Sequence, residues 1–504
     1  MGFRLRGFFK TVAIVTIFST CEKFLGFLYR IYLSRTIGAE GVGLYQVALS
    51  VFAFLLTLTC SGTPITVSRL ITKYNAENKK ERVNKLITSA LVFTLFVSLA
   101  ICLLFFSLKK FSSLIFADDR CVSIFYVVLI GLIFTSLYSI VRGVFWGKKD
   151  FLPYSIIELL EEICMIVVGI ILISTTTEVF LGAYYAGVAV LISYVFSFTL
   201  AFIVFFMRGN RIINPKGEFK PLLSSAMPVT AMRTINSLAI SIVSIILPLR
   251  LVSAGFSSSE AMSLYGSAVG QAIPILFIPT TLIGSFTIVL VPEIAENFYN
   301  KNHKRLKTEI EKAVKFTAIL SNIFIPVFFV CGEEIGLIIF GNTDCGKFLT
   351  ASAFLMLFMS LSSLSTSILN SIGQEKKALS YCIISGAFML ACVYLLPKYM
   401  GIYSLLIGYS FVYGLTTVLN VILLRKKCKY KPKFIGFIIF STLLLFPSII
   451  LGYMLEKLLL SLLGTMLTFI VCSVVLVAFT ILLYACFNVF DINIILKRLK
   501  RKTA

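Results

Sequence analysis

The sequence predicts an all-α polytopic membrane protein of about fourteen transmembrane helices, built as two pseudo-symmetric six-helix lobes plus two C-terminal helices. Three observations carry this expectation. Of 504 residues, 58% are hydrophobic and only 14% are charged, whereas soluble domains carry about 25% charged residues. The apolar residues gather into runs of about 20, the length that crosses a hydrocarbon core of about 30 Å. Short motifs also recur in the two halves. SLYSIVRGVFWGKKDFLPYSII at 136–157 resembles SLSTSILNSIGQEKKALSYCII at 363–384, an offset of 227, and GLYQVALSVF from Gly43 resembles SLYGSAVGQA from Ser263, an offset of 220.

In chain order, the runs 11–36, 43–65, 86–108, 122–142, 153–174 and 180–207 make the six spans of a first lobe at residues 1–207. A second lobe at 208–424 takes 221–249, 261–290, 313–332, 348–371, 377–397 and 401–424. Residues 425–504 then hold the runs 433–455 and 459–487 and a basic tail. The start MGFRLRGFFK is basic ahead of an apolar run, as in a signal peptide. That run is too long, and no small-residue cleavage site follows, so it reads as a retained first span.

Net charge is +23, and its placement decides its meaning. With the N-terminus cytoplasmic, the inner segments hold 35 of the 46 Lys and Arg, the outer loops hold 7, and Lys23, Arg30, Arg35 and Arg233 fall within spans. Such asymmetry follows the positive-inside rule and predicts a multi-pass protein of the cell membrane with both termini cytoplasmic. Attraction to anionic membrane lipids is a secondary effect. No basic patch sits on a soluble domain, so nucleic acid is not an expected partner. The 12 cysteines form no C-x-x-C pair, no metal or cofactor motif is present, and Cys331 and Cys345 near the outer face are expected as free thiols.

The first span is apolar yet carries Glu22, Lys23, Arg30 and Arg35, and each charge costs about 2.5–3.5 kcal/mol at a bilayer centre. Lys23 and Arg30 lie seven residues apart, on one stripe two turns apart. They are expected to face a wet cavity between the lobes, and Arg35, near the outer end, either joins them or snorkels to headgroups. Span 5 supplies the opposite sign. Glu158, Glu161 and Glu162 share one helix face, and Glu161 lies about 12 Å beyond Pro153. Carboxylates this close repel one another when all are ionised, so the face can exchange protons or hold a cation. An ion pair that docks span 5 on Lys23 or Arg30 is the alternative. Arg233, with Asn236 one turn on and Pro228 before it, lies inside span 7, the first of the second lobe.

A cavity of this kind implies an anionic substrate. Arg holds phosphate through paired N–H donors and Lys adds a point charge, so phosphate or diphosphate is the natural guess, although a carboxylate also fits. The chain has no P-loop. Its single histidine, His303, sits in the basic loop NKNHKRLK without a partner for catalysis, so no enzyme is expected. Pro274, Pro279 and Gly284 are expected to kink span 8 into a hinge. Pro292 and Glu293 at its inner end, with Glu296, suit a gate or a capped helix end. Gly143 and Gly147 allow a close turn or close packing after span 4, and Trp146, the sole tryptophan, is expected at headgroup level.

Four segments carry a resemblance. IGAEGVGLYQ (37–46), RGVFWGKKDFLPYSIIELLEE (142–162), MPVTAMRTINSL (227–238) and LVPEIAE (290–296) resemble the stage V sporulation protein B family. That family belongs to the polysaccharide transporter branch of the multidrug/oligosaccharidyl-lipid/polysaccharide flippase superfamily. In the second segment, Arg142, Gly143, Phe145, Gly147, Pro153 and Glu161 fit the family pattern. Met165 stands where the family has Arg, so no Glu–Arg pair carries over to span 5. The resemblance implies translocation of a lipid-linked oligosaccharide diphosphate, lipid II for spore cortex peptidoglycan, with cell-wall synthases as partners. It also implies that Lys23, Arg35 and Arg233 match basic positions of related lipid II flippases, and that Arg30 matches the sporulation family. A cation-coupled multidrug exporter, a polytopic membrane enzyme and a non-transporting morphogenesis protein are the competing readings.

Overall fold

The computed structural model describes residues 2–108, 116–215, 217–428, 434–487 and 489. Lys109, Lys110 and the tail from Lys497 lie outside the described residues, as do the side chains of Pro228, Asn236, Gly284 and Pro292. Every regular element among the described residues is helical, and the chain divides into two compact units, Met1–Gly266 and Ser267–Ala504.

The first unit begins with α1 (Gly2–Cys60), 59 residues long and kinked at Gly38, whose φ of 68° and ψ of 179° suit glycine alone. The two spans expected here are thus two legs of one bent helix. α2 (Thr63–Ala76) starts with Pro64 in its first turn, where the missing N–H leaves nothing unsatisfied. α3 (Lys80–Ser107), α4 (Asp119–Gly147), α5 (Phe151–Ile173) and α6 (Val179–Met207) follow, then α7 (Phe219–Ser253) and the short α8 (Ser258–Tyr265). Gly143 and Gly147 serve packing rather than a turn: a β-carbon on either would lie 2.6 Å from the Pro64 carbonyl oxygen or 2.8 Å from that of Ser68. α2 therefore nests on α4, and Val67, Ile71, Leu86, Ile87, Val144 and Phe145 form the core around them.

Asp118 caps α4. It accepts hydrogen bonds from the Arg120 amide at 2.9 Å and from Ser258 Oγ at 2.7 Å, which ties α8 to the start of α4. Burial pushes its carboxyl up, but these bonds and the Arg120 guanidinium outweigh it, and the group titrates below its ordinary range.

The second unit opens within a π-helical turn, Gly266–Ala272, that leads into α9 (Ile273–Tyr299). The expected span 261–290 is therefore α8, this turn and α9 in series. Pro274 falls in the first turn of α9, directly after the π turn, so the two irregularities of this stretch lie side by side. Pro279 is buried within α9. α10 (His303–Val330) begins at the lone histidine, and after the one-turn α11 (Gly332–Ile335) come α12 (Thr343–Ser352) and α13 (Leu355–Ser371), bent by 59°. α14 (Glu375–Leu395) precedes α15 (Pro397–Met400), α16 (Tyr403–Ser410) and α17 (Thr416–Cys428). α18 (Phe434–Leu443) and α19 (Leu445–Cys486) dock on α10, where Asn322 donates to Ser441 Oγ at 3.2 Å. Tyr484 of α19 in turn donates to the Ser441 carbonyl at 2.8 Å. Cys331 and Cys345 are buried free thiols.

Eleven helices among the described residues are long and apolar enough to cross a membrane, twelve if the bent pair counts as one. Two physical features separate this from the fourteen expected spans. Val15–Ala76 is one long apolar stretch where two spans are expected, and α5 carries three carboxylates in its 23 residues, which its apolar remainder does not mask.

Candidate functional site

A cavity of about 560 Å³ lies within the first unit, walled by α1, α2, α4, α5, α6 and α7. Its charged lining is Glu22, Arg142, Glu158, Glu161, Glu162 and Arg233, and Tyr138, Trp146 and Tyr194 supply aromatic wall. The i, i+3, i+4 spacing read from α5 holds: all three glutamates reach this space.

Local sequence explains how each arrives. Gly26 of α1 leaves the room that the Glu162 carboxylate fills, since a β-carbon there would sit 2.8 Å from Glu162 Oε1. Glu22 lies one turn before Gly26 on the same stripe. Arg142, near the end of α4, donates through Nη1 to Glu158 Oε1 at 2.8 Å, and its guanidinium lies 5.2 Å from the centre of the Trp146 ring. The α4–α5 hairpin makes this pair, because both residues lie within two turns of the reversal at Lys148–Asp150. Buried polar atoms are left without protein partners beside it: Arg142 Nε, Glu161 Oε2, Tyr138 OH and Ser61 Oγ. Such groups cost free energy when unmet, so the cavity suits a polar guest or water.

The lining differs from the cationic one expected. Of Lys23, Arg30, Arg35 and Arg233, only Arg233 lines this cavity. Lys23 and Arg30 do share a stripe, but it lies about 40–100° around α1 from Gly26 and Glu22, and neither residue reaches the lining. Lys23 and Arg35 are exposed, and Arg30 is half-buried near Tyr45. Arg233 is exposed, with no carboxylate within ion-pair distance among the described residues. Glu293 is exposed on α9, and its backbone carbonyl accepts from Asn297 at 2.9 Å. Neither Glu293 nor Glu296 forms an ion pair among the described residues. Trp146 belongs to the cavity wall as well as to the end of α4. Arg142, which the sequence offered as one residue of the family pattern and a possible gate or hinge, is the cation that meets the acids of α5. Its 16-residue separation from Glu158 across a predicted helical hairpin was the available signal.

Residues 8–298 match the family model described as polysaccharide biosynthesis protein. The chain is 27% identical over 368 residues to stage V sporulation protein B of Bacillus subtilis (strain 168), which covers 70% of each chain. It is 23% identical over 344 residues to lipid II flippase MurJ of the same organism, covering 62% of this chain and 61% of that one. Its fold superposes on a solved structure of lipid II flippase MurJ in an inward closed conformation, with a TM-score of 0.71 at 14% identity, over 94% of this chain and 99% of that one. Its fold is thus one that solved transporters of the flippase superfamily share. With more than half of its sequence matched by the model, the chain belongs to the polysaccharide biosynthesis protein family.

Proposed function

We propose that this protein translocates a lipid-linked cell-wall precursor across the cytoplasmic membrane, and that its cargo is lipid II for spore cortex peptidoglycan. In this reading the lobes 1–207 and 208–424 rock to give alternating access. Arg233, at the cavity wall, holds the diphosphate together with Lys23, Arg30 and Arg35, and Glu293 and Pro279 serve gate and hinge. The observation that carries the reading is Arg233, a guanidinium that lines a cavity inside apolar helices and has no carboxylate within ion-pair distance among the described residues. A guanidinium so placed can engage phosphate oxygens through two N–H groups at once.

The acids support the cycle rather than the cargo. Glu22, Glu158, Glu161 and Glu162 take up protons or a cation as the cavity fills and empties. The same four carboxylates favour a second reading, export of organic cations. One experiment separates the two. Arg233→Ala and Arg30→Ala are made separately in cells lacking other flippases, and externally accessible lipid II is measured with membrane protein level. Export that falls while the protein stays abundant supports the diphosphate clamp. Export that persists through both changes refutes it, and sensitivity to cationic drugs is then the property to measure.

A further inference from the structure

A second concave site lies in the first unit and shares no lining residue with the cavity. It is a groove of about 600 Å³ between the C-terminal half of α2, the start of α3 and the first turns of α7. Arg69, Lys73, Lys79 and Arg82 line it, with Ser224 and Ser225 opposite and Glu77 as the one acid among its lining residues.

Its walls are locked in place. Glu218, just ahead of α7, is only 3% exposed and accepts two hydrogen bonds, from Tyr74 OH at 2.7 Å and from Arg82 Nε at 2.7 Å. The Arg82 guanidinium lies 4.8 Å from the centre of the Tyr74 ring. This buried carboxylate thus joins α2, α3 and α7 and aims Arg82 along the groove, with its terminal nitrogens outside the pair. Two more bonds hold the chain that leads into α7 along α3: Ile213 N donates to Thr88 Oγ1 at 3.0 Å, and Ser89 Oγ donates to the Pro215 carbonyl at 2.9 Å.

The charges are unevenly matched. Glu77 pairs with Lys79 at 2.6 Å, which leaves Arg69 and Lys73 with no carboxylate within ion-pair distance among the described residues. These two stand one turn apart on α2, on one face. Opposite them, Ser224 Oγ donates to the Pro221 carbonyl, and Ser225 adds a second hydroxyl to the wall. Two cations, the outer edge of a fixed guanidinium and a hydroxyl converge on a space much larger than a single phosphate. That is donor chemistry for an anion with several oxygens.

We propose that this groove is a phosphate-binding site separate from the transport cavity, taking either a lipid headgroup phosphate or a soluble diphosphate. The site does not depend on what the protein transports, because none of its residues lines the cavity. Occupancy would brace α2 against α7.

The test uses the full chain, purified and placed in nanodiscs. Arg69→Gln/Lys73→Gln removes the two unmatched cations, and Lys376→Gln/Lys377→Gln removes the same charge from the exposed start of α14. Inorganic pyrophosphate is titrated into protein in phosphatidylcholine discs. Retention of phosphatidylglycerol against phosphatidylcholine is counted separately by native mass spectrometry. The proposal expects the groove variant to bind at least about tenfold more weakly in one arm or both, while the α14 variant matches the unaltered protein. Loss of pyrophosphate alone assigns a soluble ligand, and loss of phosphatidylglycerol alone assigns a lipid headgroup. Equal losses in the two variants, or no binding in either arm, overturn the site.

Discussion

Arg142 and Glu158 form an ion pair whose side chains are 32% and 21% exposed, set among three further carboxylates and against the face of Trp146. Removing the cation leaves four acids facing one small cavity. Removing Glu158 alone leaves Arg142 near Glu161 and Glu22, which can partly replace it. The two losses should therefore be unequal, and the pair should couple. In a double-mutant cycle of Arg142→Ala and Glu158→Ala, thermal unfolding in detergent is expected to give a coupling of about 1–3 kcal/mol, with Arg142→Ala the more damaging single change. Additive losses would mean that the 2.8 Å contact carries no net stability.

At the scale of elements, α1 contains two kinds of glycine that the sequence alone does not tell apart. Gly38 has open space where a β-carbon would go but a φ of 68°, so Gly38→Ala strains the backbone and is expected to cost about 1–3 kcal/mol. Gly26 has ordinary helical geometry, and its β-carbon would meet only the movable end of Glu162. Gly26→Ala should cost less and should act on the cavity. Melting temperatures of the two variants check this, and equal losses would contradict the distinction. The same contrast shows what was legible. The three glutamates of α5 announce their shared face because helix period alone decides it. The stripe of Lys23 and Arg30 was equally legible, but its direction was not, because the fit of Gly26 around Glu162 sets the rotation of α1. The kink at Gly38 falls in the gap between the runs 11–36 and 43–65, but nothing in that gap announces that the helix continues through it as one bent element. In α9, Pro274 signals an irregularity in the helix, but the π turn just before it has no sequence signature of comparable strength.

At the scale of the whole molecule, the distribution of charge makes a prediction that bears on both sites. The segments read as inner hold 35 of the 46 basic residues, an excess of the kind that orients short loops toward the cytoplasm. The groove residues Arg69 to Arg82 and the chain before α7 both belong to those segments. If the rule governs here, the groove opens at the cytoplasmic leaflet, where anionic lipid and soluble phosphates are present, and the Ala254–Ser257 turn after α7 lies outside. Fusions report this directly. Alkaline phosphatase joined after Ala254 should be active and after Gly209 inactive, and a C-terminal fluorescent protein should fluoresce. The opposite pattern would turn the groove outward, remove its access to cytoplasmic phosphates, and require the diphosphate of any cargo to be met first by a different set of cations.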